Sequence, residues 1–154
     1  MGKAICVRCK RPFGRRTGLH QAKICQNCLN ALSYRELSPF LESLNLPAAF
    51  VRKDCTIIAF NTSLGRIMGR YAHDVAGVRI GDAVECAYYE EHELCGKGAI
   101  CHHCGIKRML DLTRISGEGF SEVQIAVRQK SGKEHQHRFT FAKAGEKILV
   151  IAKL

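Results

Sequence analysis

Apolar residues change their period along this chain, and the changes mark its elements. Over Cys28–Leu37 they fall at helical spacing, and Ser38-Pro39-Phe40-Leu41-Glu42-Ser43 restarts a helix with a capping serine, proline at the first helical position and an acid in the first turn. Two short helices are predicted there. From Leu46 the pattern becomes β-prone: Pro47–Val51 and Cys55–Phe60 flank the polar turn Arg52-Lys53-Asp54, a hairpin signal. Asn61-Thr62-Ser63 caps a short helix through Leu64, Ile67 and Met68, and the glycine-punctuated Gly69–Asp82 predicts further short helices. A helix over Ile106–Leu112 is stopped by Gly117-Glu118-Gly119. Three strands follow, Phe120–Gln129, His135–Lys143 and Lys147–Ala152, joined by turns at Lys130–Lys133 and Ala144–Glu146.

A length of 154 residues fits one ordinary domain with a small appendage. With 46% hydrophobic and 25% charged residues the composition is globular, and no stretch approaches the roughly 20 apolar residues of a membrane span. The start, Met1–Gly14, holds a cysteine pair where an export signal needs an apolar run, so a cytoplasmic protein is expected. Nine cysteines in that setting point to metal or redox chemistry instead of disulfides. Eight form two local sets, and the boundary falls between them, giving a module over 1–32 and a larger unit over 33–154. The ninth, Cys55, reads as a small apolar residue facing a strand interior.

Cys6-x2-Cys9 and Cys25-x2-Cys28, fifteen residues apart, can each present two sulfurs from one turn and together complete a tetrahedron. Zinc is the expected ion, in a ribbon or a treble-clef-like finger. A module this small cannot bury enough apolar surface to fold alone, so the metal would supply most of its folding free energy. The formal charge of +10 is concentrated here: residues 1–30 carry seven Lys or Arg and no acid, and the remainder carries +3. Four thiolates on a dication would reduce the excess near Cys6–Cys28 to about +5. Arg8, Lys10, Arg11, Arg15 and Arg16 are the candidates for a phosphate or partner contact, against a merely solvated basic face.

The order helix, hairpin, short helices, connecting helix and three closing strands, with Asn61 opening the helix after the second strand and the glycine-bracketed Gly77-Val78-Arg79-Ile80-Gly81-Asp82, resembles the PAS domain family. The resemblance implies an α+β fold, a five-stranded antiparallel sheet with helices on one face, and a role as sensor or dimerisation module. It also implies a ligand region between sheet and helices, at about Gly77–Ile115, which contains the second set, Cys86-x8-Cys95-x5-Cys101-x2-Cys104. Gly96, Gly98 and Gly105 let backbone amides approach sulfur. The set resembles the Gly- and Cys-rich insertion of some bacterial PAS domains, and its four thiolates suit an iron–sulfur cluster or a second zinc equally.

His92, His102 and His103 are read as solvated or hydrogen-bonded, and His135 and His137, two apart on a strand, as part of an exposed polar sheet face. The acids around Tyr88 and Tyr89 suggest acid–base work only weakly, and neither a Ser-His-Asp order nor a phosphate loop stands out. The expectation is therefore a non-enzymatic regulatory protein: a PAS sensory module with a redox- or oxygen-sensing cysteine centre, joined to a structural zinc finger. Since the chain closes on the last PAS strand, its signal is expected to leave through a protein partner or homodimer contact, with Phe40, Leu41, Leu44 and Leu46 as one apolar candidate, or through nucleic acid at the basic finger. A zinc-stabilised DNA-binding transcriptional regulator and an iron–sulfur electron-transfer protein are the alternatives.

Overall fold

In the computed structural model, residues 2–14, 19, 21–69, 71, 78–88 and 95–153 are described. Strands β1 (Ala4–Ile5) and β2 (Pro12–Phe13) form a two-stranded antiparallel ribbon, and α1 (Gln26–Asn30) follows. Next comes α2 (Tyr34–Glu42), one helix in place of the predicted restart at Ser38. Its start is fixed by a capping box, in which the Ser33 backbone N–H donates to Glu36 (2.7 Å) while the Ser33 side chain takes the Glu36 N–H. Pro39 then lies inside the helix and deletes one backbone bond. Burial of Leu37 and Leu41 against the sheet offsets that loss. Ser38-Pro39 imitates a helix start, but Ser33-x-x-Glu36 is the stronger one.

The hairpin β3 (Ala48–Val51) and β4 (Ile57–Phe60), the helices α3 (Thr62–Met68), α4 (Ile80–Ala83) and α5 (Gly105–Ser116), and the meander β5 (Phe120–Arg128), β6 (Glu134–Ala144) and β7 (Lys147–Lys153) complete the chain. The strand order β4-β3-β7-β6-β5 is antiparallel throughout, so the first and last strands of the unit pair at its centre. The expected five-stranded α+β sheet is thus present, with strand limits within about two residues of those predicted.

Strands β3 and β7 are buried along nearly their whole length. That is the signature of a sheet covered on both sides. Ala49, Val51, Ile148 and Val150 join Ile80, Ile106, Leu110, Phe139 and Phe141 beneath α4 and α5. The alternate residues Ala48, Phe50, Leu149 and Ile151 face the other way, into a second core with Leu37 and Leu41 of α2 and Cys6, Leu19, Ile24 and Leu29 of the N-terminal module. Phe40, Leu44 and Leu46 pack on this second core as well, so the helix α2 lies on its own sheet. Polar links pin the layer. The Gln26 amide donates to the Lys143 carbonyl, Asn30 Oδ1 accepts from the Gly145 N–H (3.1 Å), and Arg8 bridges Glu36 (3.0 Å) and the Cys28 carbonyl (3.3 Å).

Asn61 joins the layers. Its Oδ1 accepts from the N–H groups of Ala48 (3.1 Å) and Leu64 (3.0 Å), and its Nδ2 donates to the carbonyls of Leu41 (3.0 Å) and Leu46 (2.8 Å), all at 1% exposure. The predicted helix cap is therefore also the knot between α2, β3 and α3.

His135 and His137 do share a face, the one occupied by Phe139, on which His135 is exposed and His137 is half-buried. The two imidazoles stack at 5.6 Å, His137 meets Phe139 edge-on, and the buried His137 Nδ1 has no hydrogen-bond partner. Desolvation, followed by the neighbouring His135, lowers the His137 pKa.

Two measurements follow from this packing. Asn61→Ala strands buried amide and carbonyl groups on three elements and is expected to cost about 3 kcal/mol in denaturant unfolding. Because folded His137 resists a proton that the unfolded chain accepts near pH 6.5 or so, its stability contribution is complete above that pH and declines as pH falls through it. His137→Gln should flatten the denaturant midpoint between about pH 7.5 and 5. Glu36, Asp54 and Glu122 all titrate below their ordinary values, so their effect lies in a separate, more acidic window.

Candidate metal centres

The first set closes. Cys6 and Cys9 come from a knuckle after β1, in which the Lys10 N–H returns to the Cys6 carbonyl (2.9 Å), the Cys6 N–H donates to Arg11 (2.9 Å) and Lys10 takes φ +61°. Cys25 caps α1 and Cys28 lies in its first turn, so the second pair sits on a helix start. All four sulfurs lie within 4.8 Å of one another, and Cys9 Sγ and Cys25 Sγ are 3.8 Å apart. A zinc tetrahedron with arms of about 2.3 Å has edges of about 3.8 Å. The Cys6 thiol is raised by burial, but the backbone N–H groups of Cys9, Cys25 and Arg8 outweigh this and hold it at about 6. Burial and the adjacent thiols push Cys28 up to about 12. Such a set already carries negative charge at neutral pH and releases protons on taking up a dication. Four cysteines in this geometry can hold a metal ion.

Of the basic residues, Arg8 is turned into the contact with Glu36 and Cys28, and Lys10 Nζ donates to the Val7 carbonyl (2.7 Å). Arg11 is exposed, and Arg15 and Arg16 lie outside the described residues.

The second set assembles differently. Cys86, Cys95, Cys101 and Cys104 all line one cavity of about 280 Å³ between the sheet and α4–α5, with Ile80, Ile125 and Val127 on its apolar walls. Cys86 bridges to Gln129 at the end of β5, and its N–H donates to Gly81 (2.9 Å). Cys95 Sγ accepts from the Gly81 N–H (3.2 Å), and Cys101 Sγ from the Gly96 N–H (3.3 Å). Cys101 lies in a single 3-10 turn, Ala99–His103, and Cys104 is the N-cap of α5. Burial raises the Cys104 thiol, opposed by the N–H groups of Lys107 and Ile106 and reinforced by Cys86 and Cys95. The second set does not reach the mutual distances of the first: among the described residues, only Cys6, Cys9, Cys25 and Cys28 gather three or more such ligands that closely. His103 lines the same cavity, and His92 lies outside the described residues.

The sequence reading missed Cys55. It is 1% exposed, but its backbone is left-handed (φ +68°), and its Sγ lies against Gly96, next to Cys95. Gly96, also left-handed at φ +89°, permits the approach: a Cβ there would stand 2.9 Å from Cys55 Sγ. The only sequence signal was position, since a hairpin turn after Arg52-Lys53-Asp54 favours glycine or asparagine at such a φ.

No protein-family model and no curated protein matches this chain. Solved structures do. A domain of a sensory box sensor histidine kinase/response regulator from Geobacter sulfurreducens superposes with a TM-score of 0.50 at 15% identity, over 79% of this chain and 90% of that one. The LOV protein of Rhodobacter sphaeroides gives 0.51 at 10% identity, over 78% and 66%. The PAS domain of nitrogen regulation protein NR(II) from Vibrio parahaemolyticus gives 0.50 at 10%, over 75% and 94%. At these identities the likeness speaks to architecture, and the five-stranded sheet with its overlying helices has the PAS fold.

Proposed function

We propose that this is a small, non-enzymatic signalling protein whose PAS module senses redox state or oxygen through a cluster-type metal centre at Cys86, Cys95, Cys101 and Cys104, while Cys6, Cys9, Cys25 and Cys28 hold a structural zinc. The observation that carries this reading is the pair of contrasting geometries. The first set meets single-ion distances, whereas the second spreads around a cavity of about 280 Å³ without closing on one point. An iron–sulfur cluster, which places several atoms between its cysteines, suits the wider set, and when bound it supplies electron exchange and sensitivity to oxidants. The chain's own contribution is a collar of N–H donors, from Gly81, Gly96 and the start of α5, aimed at three of the four sulfurs. Such donors stabilise thiolate ligands and set their potential.

Cys104 caps α5, and α5 packs on β5, β6 and β7, so a change at the centre acts directly on a helix that spans the sheet. Output would leave through a protein partner or a second copy. Arg8 and Lys10 are engaged within the finger and its contact with α2, which favours a protein-facing finger over a phosphate-binding one. No helix among the described residues is long and apolar enough to cross a membrane, and the thiol-rich centres suit the reducing cytoplasm.

Anaerobic purification followed by metal and sulfide analysis tests the assignment. One zinc per chain, together with iron, acid-labile sulfide and a broad visible absorption that bleaches in air, is expected. Cys104→Ser should lose the iron and keep the zinc. A colourless protein with two zinc ions would overturn the sensing account. Removing the first metal, by chelation or by Cys28→Ser, is expected to lower amide protection over residues 21–30 by at least about a hundredfold in hydrogen exchange. The released layer would leave Phe50, Leu149 and Ile151 uncovered, so self-association should appear in sedimentation.

A further inference from the structure

We propose that Cys55 and Cys95 form a reversible disulfide when the second cysteine set meets a peroxide, so that this set works with five cysteines and not four. This deepens the sensing reading above and shares its site. Cys55 Sγ sits against Gly96, the chain neighbour of Cys95, although forty residues of sequence separate the two cysteines. Three features hold them together. Arg79 Nη1 donates both to the Asp54 carbonyl and to the Cys95 carbonyl (3.0 Å), tying the hairpin turn to the Cys95 loop. The Ile80 N–H donates to the Cys55 carbonyl (2.9 Å), one residue before the Gly81 N–H that holds Cys95 Sγ. Finally, Gly81 and Gly96 lack the Cβ atoms that would stand 2.8 Å from Cys95 Sγ and 2.9 Å from Cys55 Sγ.

Cys55 sits at φ +68°, a left-handed conformation that a residue with a side chain rarely adopts. A glycine there would avoid that strain and would lose the thiol. The Lys107 stem also packs at Gly96, 3.6 Å from where a Cβ there would stand. Packing of a small apolar group accounts for the burial of Cys55, but not for a left-handed cysteine seated against another cysteine.

The chemistry balances with a peroxide as oxidant. Cys95, which lines the cavity, gains one peroxide oxygen as sulfenic acid; the O–O bond breaks, and the second oxygen leaves as water with the thiol proton. The Cys55 sulfur then attacks the Cys95 sulfur, the S–S bond forms, the S–O bond breaks, and a second water leaves with the Cys55 proton. Two thiols lose two electrons, one peroxide becomes two waters, and Cys95 is withdrawn from the metal set.

The test treats the full chain, as purified without oxygen, with stoichiometric hydrogen peroxide, alkylates the remaining thiols and maps the tryptic peptides without reduction. Peptide 54–66 contains Cys55, peptide 80–97 contains Cys86 and Cys95, and peptide 98–107 contains Cys101 and Cys104. The expected result is a 54–66/80–97 cross-link at least tenfold above any other pair, reversed by a phosphine reductant, retained in Cys86→Ser and absent in Cys55→Ser. Alkylated Cys55 with cross-links confined to 80–97 and 98–107 would overturn the proposal. Iron and zinc measured in the same samples separate the two readings: the cross-link without iron removes the cluster and keeps the disulfide, and iron without the cross-link does the reverse. Circular dichroism of Cys55→Ser guards against misfolding as the cause of a lost cross-link.

Discussion

Strands β3 and β7 pair at the centre of the sheet and carry apolar side chains on both faces, from Ala48 to Val51 and from Ile148 to Ala152. Neither face can be left in water, because fully burying each aliphatic side chain of this size is worth about 1.5–3 kcal/mol. One face is covered by α4 and α5. The other requires a cover, and the N-terminal module supplies it with Leu19, Ile24 and Leu29. The module and the sheet are therefore linked by mutual need: the finger is too small to build a core unaided, and the sheet has a face that needs one.

The polar contacts follow the same logic. Asn61 makes four side-chain hydrogen bonds in the narrow space where α2, β3 and α3 converge, and Gln26 and Asn30 meet backbone groups at the β6–β7 turn. Each satisfies groups that layer packing would otherwise strand away from water. The pair His135 and His137 is the exception, with one buried nitrogen unpaired beside Phe139. It lies where the helices on that face leave the end of β6 thinly covered, as the exposure of residues 134–136 indicates.

Much of this was legible in the sequence because it is local. The three closing strands, the β3–β4 hairpin, the cap at Asn61 and the spacing of the first cysteine set depend on period, turn residues and short-range geometry. What stayed hidden depends on contacts across long separations. The burial of both sheet faces followed from where residues 19–29 would fold back, which no local pattern states. Ser38-Pro39 offered a locally valid helix start that the capping box at Ser33 displaced. The two histidines have the alternation of an exposed edge, which His135 keeps, but the register against Ile125 brings His137 beside the core. Cys55 looked like packing because its partner lies on a loop forty residues away.

The two cysteine sets differ in what the fold requires of them. Cys6, Cys9, Cys25 and Cys28 lie in a segment whose described elements are two-residue strands and a five-residue helix, so an ion held there would supply much of its folding free energy. Cys86, Cys95, Cys101 and Cys104 border a core that already includes Phe60, Ile106, Leu110, Phe139 and Phe141. That core is built mainly from aliphatic and aromatic side chains of the sheet and helices. A centre that can change or be lost without unfolding its domain is the physical precondition for sensing, and a centre that cannot is suited to holding two layers together.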